Sequence, residues 1–187
     1  MPNWCDNSLI LSHSDPKMIK RAIKAFKKGE FLQEFIPVPD ALKDTIAGSY
    51  GDEEKQAQLE AQEEFNRATY GYSNWYNFCT GEWGTKWDVG GKDEQVDQLD
   101  ANSIRLLFQS AWAPPTQAFY KLIDLGFTID AKYYEPGVGY AGWFYDGTDD
   151  SYDLTGMSAD QVQEELPEEL NEEFGIAESM REWEEEE

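Results

Sequence analysis

The chain has 187 residues with 38 acidic and 15 basic side chains, which gives a formal net charge of −23 at pH 7. Because 40% of the residues are hydrophobic and 14% are aromatic, the composition excludes general disorder. No apolar run reaches the roughly 20 residues of a membrane helix, and two cysteines are too few for a disulfide framework. We expect one reduced globular domain with an appendage and, because the N-terminus lacks the pattern of a secretory signal, a cytoplasmic location.

The N-terminal segment predicts a strand followed by a well-delimited basic helix. Residues 3–14, NWCDNSLILSHS, begin with a polar turn and continue as a strand around their apolar residues. Asp15 is placed to cap a helix over 16–28, and Gly29 is placed to end it. The prolines that close residues 31–39 predict a short extended segment there.

Residues 52–69 predict a strong but very polar helix, which we interpret as a surface insertion. Only a narrow apolar stripe is available for packing, and it comprises Leu59, Ala61, Phe65 and Ala68. The aromatic-rich residues 71–84 predict a short helix that ends near Gly81. Residues 85–91, TKWDVGG, are then expected to enter a strand.

The stretch after residue 101 alternates between strand and helix patterns. It predicts a strand over 102–112, a helix over 114–126, and three further strands over 127–135, 139–147 and 151–156. Thr116 is expected to cap the helix. Two β–α–β-like units, near 4–38 and 102–134, predict an α+β fold: a ferredoxin-like sandwich of helices on an antiparallel or mixed sheet. We assign this domain to residues 1–156.

The C-terminal quarter holds most of the charge. From Asp146 onwards, seventeen acidic residues stand against one basic residue, Arg181, so that this quarter carries −16 of the net charge. Ser158 or Asp160 is placed to cap a helix, and Pro167 to interrupt it. An apolar stripe nevertheless repeats every four residues, at Val162, Leu166, Leu170 and Phe174. Residues 157–187 are therefore predicted to be an acidic amphipathic helical extension.

Three motifs, in this order, resemble those of a known family. They are MPNWCDNSL at the N-terminus, WGTKWD in the centre, and YYEPGVGYAGWF at 133–144. Together they resemble the YubB-like family of small proteins carried by plasmids and bacteriophages, which has a ferredoxin-like C-terminal domain. The resemblance covers most of residues 1–145. It implies a ferredoxin-like fold and expression from a mobile element inside a bacterial host, and it transfers no catalytic residue.

The segment GEWGTKWDVGG, residues 81–91, has two interpretations. As a site, its tryptophans and charged residues would form a cleft with later residues, and the candidates are Trp83, Lys86, Trp87, Asp88, Glu135 and Tyr140. As a structural corner, its tryptophans would plug the sheet edge. In a strand, Lys86 and Asp88 would share one face and form a surface ion pair. We favour the corner.

Other catalytic chemistry finds little support in the residues. Cys5 and the single histidine, His13, lie eight residues apart, which places them about 26 Å apart in one strand at about 3.3 Å per residue. The cysteines and this histidine do not make a usual zinc site. The glycines of EPGVGYAGW predict a hairpin rather than a phosphate loop. Glu135 and Asp146 remain an open acid/base alternative. We predict no catalytic residue, no metal and no cofactor.

The charge distribution points to a binding protein. The basic helix at 16–28 has three interpretations: a nucleic-acid contact, a solvated face, or a partner for the acidic extension. Because phosphates repel the acidic quarter, we expect no direct nucleic-acid binding. The acidic extension is expected to bind a protein partner with a basic surface, as a mimic of DNA that inhibits a host or defence protein. The residues chosen for this role are Glu164, Glu165, Glu168, Glu169, Glu172 and Glu173. Solubility and an enzyme in the aromatic cleft are the alternatives.

Overall fold

The computed structural model describes residues 3–186, with side chains to residue 185. Its strands are β1 Trp4–His13, β2 Gln95–Gln98, β3 Ser103–Ala111, β4 Phe127–Glu135, β5 Tyr140–Tyr145 and β6 Thr148–Asp153. Its helices are α1 Pro16–Phe26, α2 Phe31–Phe35, α3 Asp40–Lys43, α4 Glu53–Tyr70, α5 Trp75–Glu82, α6 Thr116–Asp124, α7 Ala159–Glu165, α8 Glu168–Phe174 and α9 Ile176–Glu186.

The six strands form one antiparallel sheet in the order β2-β3-β1-β4-β5-β6. The succession β1-α1-β2-β3-α6-β4 places β1 and β3 at the centre and β2 and β4 outside them, as in a ferredoxin-like sandwich. The predicted α+β fold is therefore confirmed. Two hairpin strands, β5 and β6, widen the sheet beyond β4.

One face of the sheet carries the main core. Alternating residues of β1, such as Leu9 and Leu11, point to this face and are fully buried. Helices α1 and α6 cover them with their own apolar sides, including Phe26 and Phe119. The core extends into the connection between α1 and β2, where α2 and α5 add apolar residues.

The other face of the sheet carries a second, smaller apolar cluster, which is covered by α7, α8 and α9. The predicted stripe of the extension packs here. Val162, Leu166 and Leu170 are buried, and Phe174 packs against the same cluster. The sheet contributes Ala141 and flanking tyrosines. The acidic extension is therefore docked on the sheet through its apolar side.

Several local signals act as predicted and two do not. Asp15 caps α1 by accepting from the Lys17 N–H, and Ser158 forms a capping box at α7. Thr116, in contrast, is the first residue of α6 and forms no cap. The extended segment predicted for 31–39 was also wrong, because Phe31–Phe35 forms the short helix α2 and buries two apolar residues.

The polar helix α4 exists, but its predicted packing stripe was wrong. Leu59 is half-buried, whereas Ala61 and Ala68 are exposed and the Phe65 side chain is 59% exposed. The residue that α4 buries is Asn66, whose side-chain amide donates to the carbonyl of Ser73. A hydrogen bond, rather than an apolar stripe, therefore ties this helix to the following turn.

Two glycines are required by the β4–β5–β6 meander. The β5–β6 turn has positive φ at both Asp146, 42°, and Gly147, 94°, which is the pattern of a tight two-residue hairpin. Within β5, the Tyr133 ring lies across Gly142, where an added Cβ would come within 2.2 Å of it. The Tyr133 hydroxyl then donates to Asp149 on β6 at 2.8 Å.

In the part of the chain that is described, no helix has the length and apolarity needed to cross a membrane.

Candidate functional site

The three C-terminal helices form a fixed acidic surface. Their apolar stripe faces the sheet, so their charged positions face outward. Contacts between the helices hold them together. Asn171 accepts from the Ala177 N–H at 2.9 Å, and Glu184 accepts from the Ala159 N–H at 2.9 Å. The surface charges therefore sit on a docked scaffold and not on a free tail.

The six glutamates predicted to bind a partner fall into two groups. Glu173 forms an ion pair with Arg105 of β3, and Glu169 lies 3.6 Å from the Lys132 ammonium of β4. These two therefore help to dock the extension. The remaining four are exposed and form no ion pair with any described residue; we call Glu164, Glu165, Glu168 and Glu172 the acidic face.

The basic helix α1 lies across the sheet from the acidic helices. It belongs to the main core face, whereas α8 packs against β4 and β5 through the second cluster. The predicted alternative, in which this helix pairs with the acidic extension, is therefore wrong. Arg21 pairs instead with Glu34 at 2.6 Å. The basic helix α1 and the acidic helices therefore lie on opposite faces of the sheet.

The segment 83–91 is a structural corner at Trp83, Thr85 and Asp88, but it is not the predicted strand. It turns in irregular loops between α5 and β2. Trp83 is buried, and its indole N–H donates to the Ile36 carbonyl at 2.9 Å. Thr85 donates to the carbonyl of Ala111, at the end of β3, also at 2.9 Å. These bonds tie the segment both to the end of α2 and to the sheet.

Asp88 links this corner to the start of α2. Its carboxylate accepts from the backbone N–H groups of Leu32 at 2.7 Å and Gln33 at 2.9 Å, in the first turn of α2. It also accepts from its neighbour Val89 at 2.8 Å. The predicted surface ion pair with Lys86 was therefore wrong, because Asp88 caps a helix from a distant segment. Burial raises the pKa of Asp88, and the three N–H donors oppose that rise.

The predicted cleft is not assembled as a unit. Glu135 is buried and accepts from the N–H groups of Gly137 and Val138, so it closes the β4–β5 turn. Tyr140 donates its hydroxyl to the carbonyl of Trp112 at 2.9 Å. Trp83 lies in the core, as described above. Glu135 and Asp146 occupy opposite ends of the β4–β5 hairpin, and the acid/base alternative is not supported.

A different aromatic group does gather at this end of the sheet. Four substantially exposed rings belong to it: Trp4 43%, Tyr76 39%, Trp87 40% and Trp112 52%. Tyr76 and Trp112 line one surface pocket together with Lys86. The Trp4 and Trp87 ring centroids are 5.9 Å apart. The Lys86 ammonium lies 4.8 Å from the Trp87 centroid and 5.9 Å from that of Tyr76. We call these five residues the aromatic patch.

The sequence located only part of this patch. Lys86 and Trp87 were candidates, but Trp4, Tyr76 and Trp112 were not. Each of these three stands at the end of an element: Trp4 opens β1, Tyr76 lies in the first turn of α5, and Trp112 follows β3. The sequence feature that could have identified them is the repeated occurrence of an aromatic residue at the end of a strand or helix. Their meeting depends on the antiparallel register that pairs Trp4 with Ala111.

The two thiols are both free and buried. Cys5 is the second residue of β1 and His13 is its last, so the strand separates them as predicted. Burial raises the pKa of Cys5 and of Cys79 to about 12, which suppresses the thiolate. Among the described residues, no group of three or more His, Cys, Asp or Glu side chains is arranged to hold a metal ion.

Comparisons with other proteins add one distant structural similarity. No protein-family model matches the chain, and no curated protein matches it with significance. The chain is similar to the crystal structure of protein api92 from Yersinia pseudotuberculosis, which carries the family designation DUF1281. The identity is 14%, the match covers 82% of this chain and 98% of that one, and the TM-score is 0.47.

Proposed function

We propose that this chain is a non-catalytic binding protein whose acidic face, Glu164, Glu165, Glu168 and Glu172, docks on a basic surface of another protein. The observation that carries the proposal is the orientation of α7 and α8. Their apolar residues are buried against the sheet, and the four glutamates of the acidic face project outward without counter-ions among the described residues. A rigid row of carboxylates attracts a basic partner and accelerates its encounter.

The partner class follows from this charge. Proteins that bind DNA present basic surfaces, and a fixed row of carboxylates competes for them in place of phosphates. We propose a host or phage protein of this kind as the target, and a plasmid or phage as the origin of the chain, on the resemblance of its three motifs. The enzyme alternative is less well supported, because Asp88 and Glu135 each accept backbone N–H donors and are committed to the fold.

The test compares two triple variants that change the net charge equally. One carries Glu164→Lys, Glu165→Lys and Glu168→Lys on the acidic face. The control carries Glu53→Lys, Glu54→Lys and Glu64→Lys on exposed positions of α4. Each tagged full-length protein is used to capture partners from bacterial lysate, followed by washes of increasing salt.

We expect a basic protein that the wild type and the α4 control retain at low salt and that the acidic-face variant loses. Duplex DNA added to the lysate should compete for it. Equal capture by all three proteins, or capture that resists both salt and DNA, would contradict the proposal.

A further inference from the structure

The aromatic patch, Trp4, Tyr76, Lys86, Trp87 and Trp112, has features that the fold alone does not require. Large aromatic side chains exposed together on a soluble domain mark binding surfaces, because burying them in the domain's own core would be more favourable. A surface pocket of about 470 Å³ lies beside them, lined by Trp75, Tyr76, Lys86, Trp112 and two asparagines. Tyr76, Lys86 and Trp112 therefore belong both to the pocket and to the aromatic patch.

Trp112 provides independent support, because its backbone is strained. Its φ of 72° lies in the left-handed region, which bulky side chains avoid. Two contacts hold it there: its N–H donates to the Asn3 carbonyl at 3.0 Å, and its carbonyl accepts from the Tyr140 hydroxyl at 2.9 Å. A glycine would satisfy this backbone without strain. The chain instead holds an exposed indole at the pocket wall.

The charge of the patch selects the ligand. In a protein of net charge −23, the described residues that line this pocket include no carboxylate. Their single charge is the Lys86 ammonium, which forms no ion pair with any described residue and rests on aromatic rings. An ammonium without a counter-ion, between apolar rings, favours a ligand that joins a carboxylate to apolar groups.

The polar groups of the pocket disfavour other ligands. A sugar would need free amides, but Asn74 accepts from the Asn77 N–H and donates to Glu63, while the Asn77 amide donates to Ser73. Single-stranded nucleic acid would need a positively charged groove along its backbone, and the pocket offers one cation. An extended peptide requires neither free side-chain amides nor a long cationic groove, because its apolar or proline side chains pack on exposed Trp and Tyr rings.

We infer that the aromatic patch is a second binding surface, which takes an extended apolar peptide segment of a partner protein with a carboxylate seated on Lys86. This surface is separate from the acidic face, and the inference does not depend on the function proposed for that face.

The test begins with a displayed library of random peptides selected on the immobilised full-length protein. Enriched peptides are synthesised with a fluorescent label, and their Kd values are measured by polarisation. Lys86→Glu reverses the charge, and Trp112→Gly removes the ring while relieving the backbone. The matched controls are Lys55→Glu on α4 and Trp183→Ser on α9, both at exposed positions outside the patch. An oligothymidine and a neutral oligosaccharide are probed in parallel.

We expect enriched peptides to place Asp or Glu beside proline or other apolar residues. Lys86→Glu and Trp112→Gly should each weaken binding by about tenfold or more, as for hot-spot residues, while the controls stay within about twofold. Trp112→Gly should keep or raise the melting temperature, which separates a binding role from a structural one. The inference is overturned by a lack of enrichment, by peptides without acidic residues, by variants that bind like wild type, or by binding of the patch to either non-peptide probe.

Discussion

The guanidinium of Arg105 on β3 and the carboxylate of Glu173 on α8 form an ion pair across the second face of the sheet. Arg105 also donates to the Ser8 hydroxyl of β1 at 3.1 Å. The side chains of Arg105 and Glu173 are 33% and 18% exposed, so solvent screens this pair less than most. One arginine therefore links the extension to two central strands.

Loss of this pair should destabilise the docked extension. We expect Arg105→Gln to lower the free energy of unfolding by about 1–2 kcal/mol, because Glu173 keeps a largely buried charge without a counter-ion. Lys43→Gln is the control, since its partner Asp40 is almost fully exposed and solvent screens the pair, so that its loss should leave stability nearly unchanged. Urea unfolding of both variants measures the difference, and equal effects would count against a docking role for Arg105.

Removal of the extension should expose the sheet rather than release a free tail. A chain ending at Gly156 would uncover Ala141, Leu154 and the tyrosines packed beside them. We expect this truncation to bind a hydrophobic dye and to aggregate at concentrations at which the full chain remains monodisperse. The comparison is made by light scattering. A truncated protein that remains monodisperse and does not bind the dye would show that docking is not needed to protect this face.

A methyl group at position 142 should disrupt the widened part of the sheet. Gly142→Ala would place its Cβ 2.2 Å from the Tyr133 ring, and moving the ring would break its bond to Asp149. We expect the free energy of unfolding to fall by about 2–3 kcal/mol, the upper part of the range for overpacking. Gly48→Ala is the matched control, because nothing lies within 4 Å of its added Cβ. Thermal unfolding should separate the two variants, and similar melting temperatures would refute this packing argument.

The buried thiols should resist modification in the folded protein. We expect Ellman's reagent at pH 8 to detect Cys5 and Cys79 only after unfolding, because burial raises both pKa values to about 12. Rapid reaction of either thiol in the native protein would show that it is accessible.

The same pKa shifts predict a pH dependence of stability. Between pH 9 and 12 the folded state keeps thiol protons that the unfolded state releases, so the stabilisation is complete below pH 9 and is lost as pH rises. Each thiol should lower the free energy of unfolding by about 1.4 kcal/mol per pH unit between pH 9 and 12. Urea unfolding at pH 7.5 and 10 tests this. Cys5→Ala should reduce the slope of the free energy of unfolding against pH. An unchanged slope would show that Cys5 does not contribute to this pH dependence.

Loss of the carboxylate at position 88 should release the start of α2. We expect Asp88→Ala to lower the free energy of unfolding by about 2 kcal/mol, because the N–H groups of Leu32 and Gln33 lose their acceptor in a partly buried site. Asp93→Ala, at an exposed position nearby, should change stability by about 0.5 kcal/mol or less. Hydrogen exchange at Leu32 and Gln33 provides the local readout, and unchanged protection would contradict the capping role.

The sequence predicts what is determined locally. Asp15 and Ser158 cap their helices through donors two or three residues away, and both were identified. Asp88 caps donors 55 and 56 residues away, a relation that no local pattern contains. The acidic face follows from the stripe of the extension, but the pairing of Glu169 and Glu173 depends on the sheet beneath them. The aromatic patch likewise depends on strand register.

The two outer strands of the sheet also affect how the molecule behaves at high concentration. At one margin, β2 is only four residues long; at the other, β6 has the sequence TDDSYD and is almost entirely exposed. Unpaired backbone groups along such margins are sites at which strands of other molecules can add. The aspartates of β6 oppose this addition by charge, and the shortness of β2 limits it. The sheet therefore resists growth from molecule to molecule at both ends.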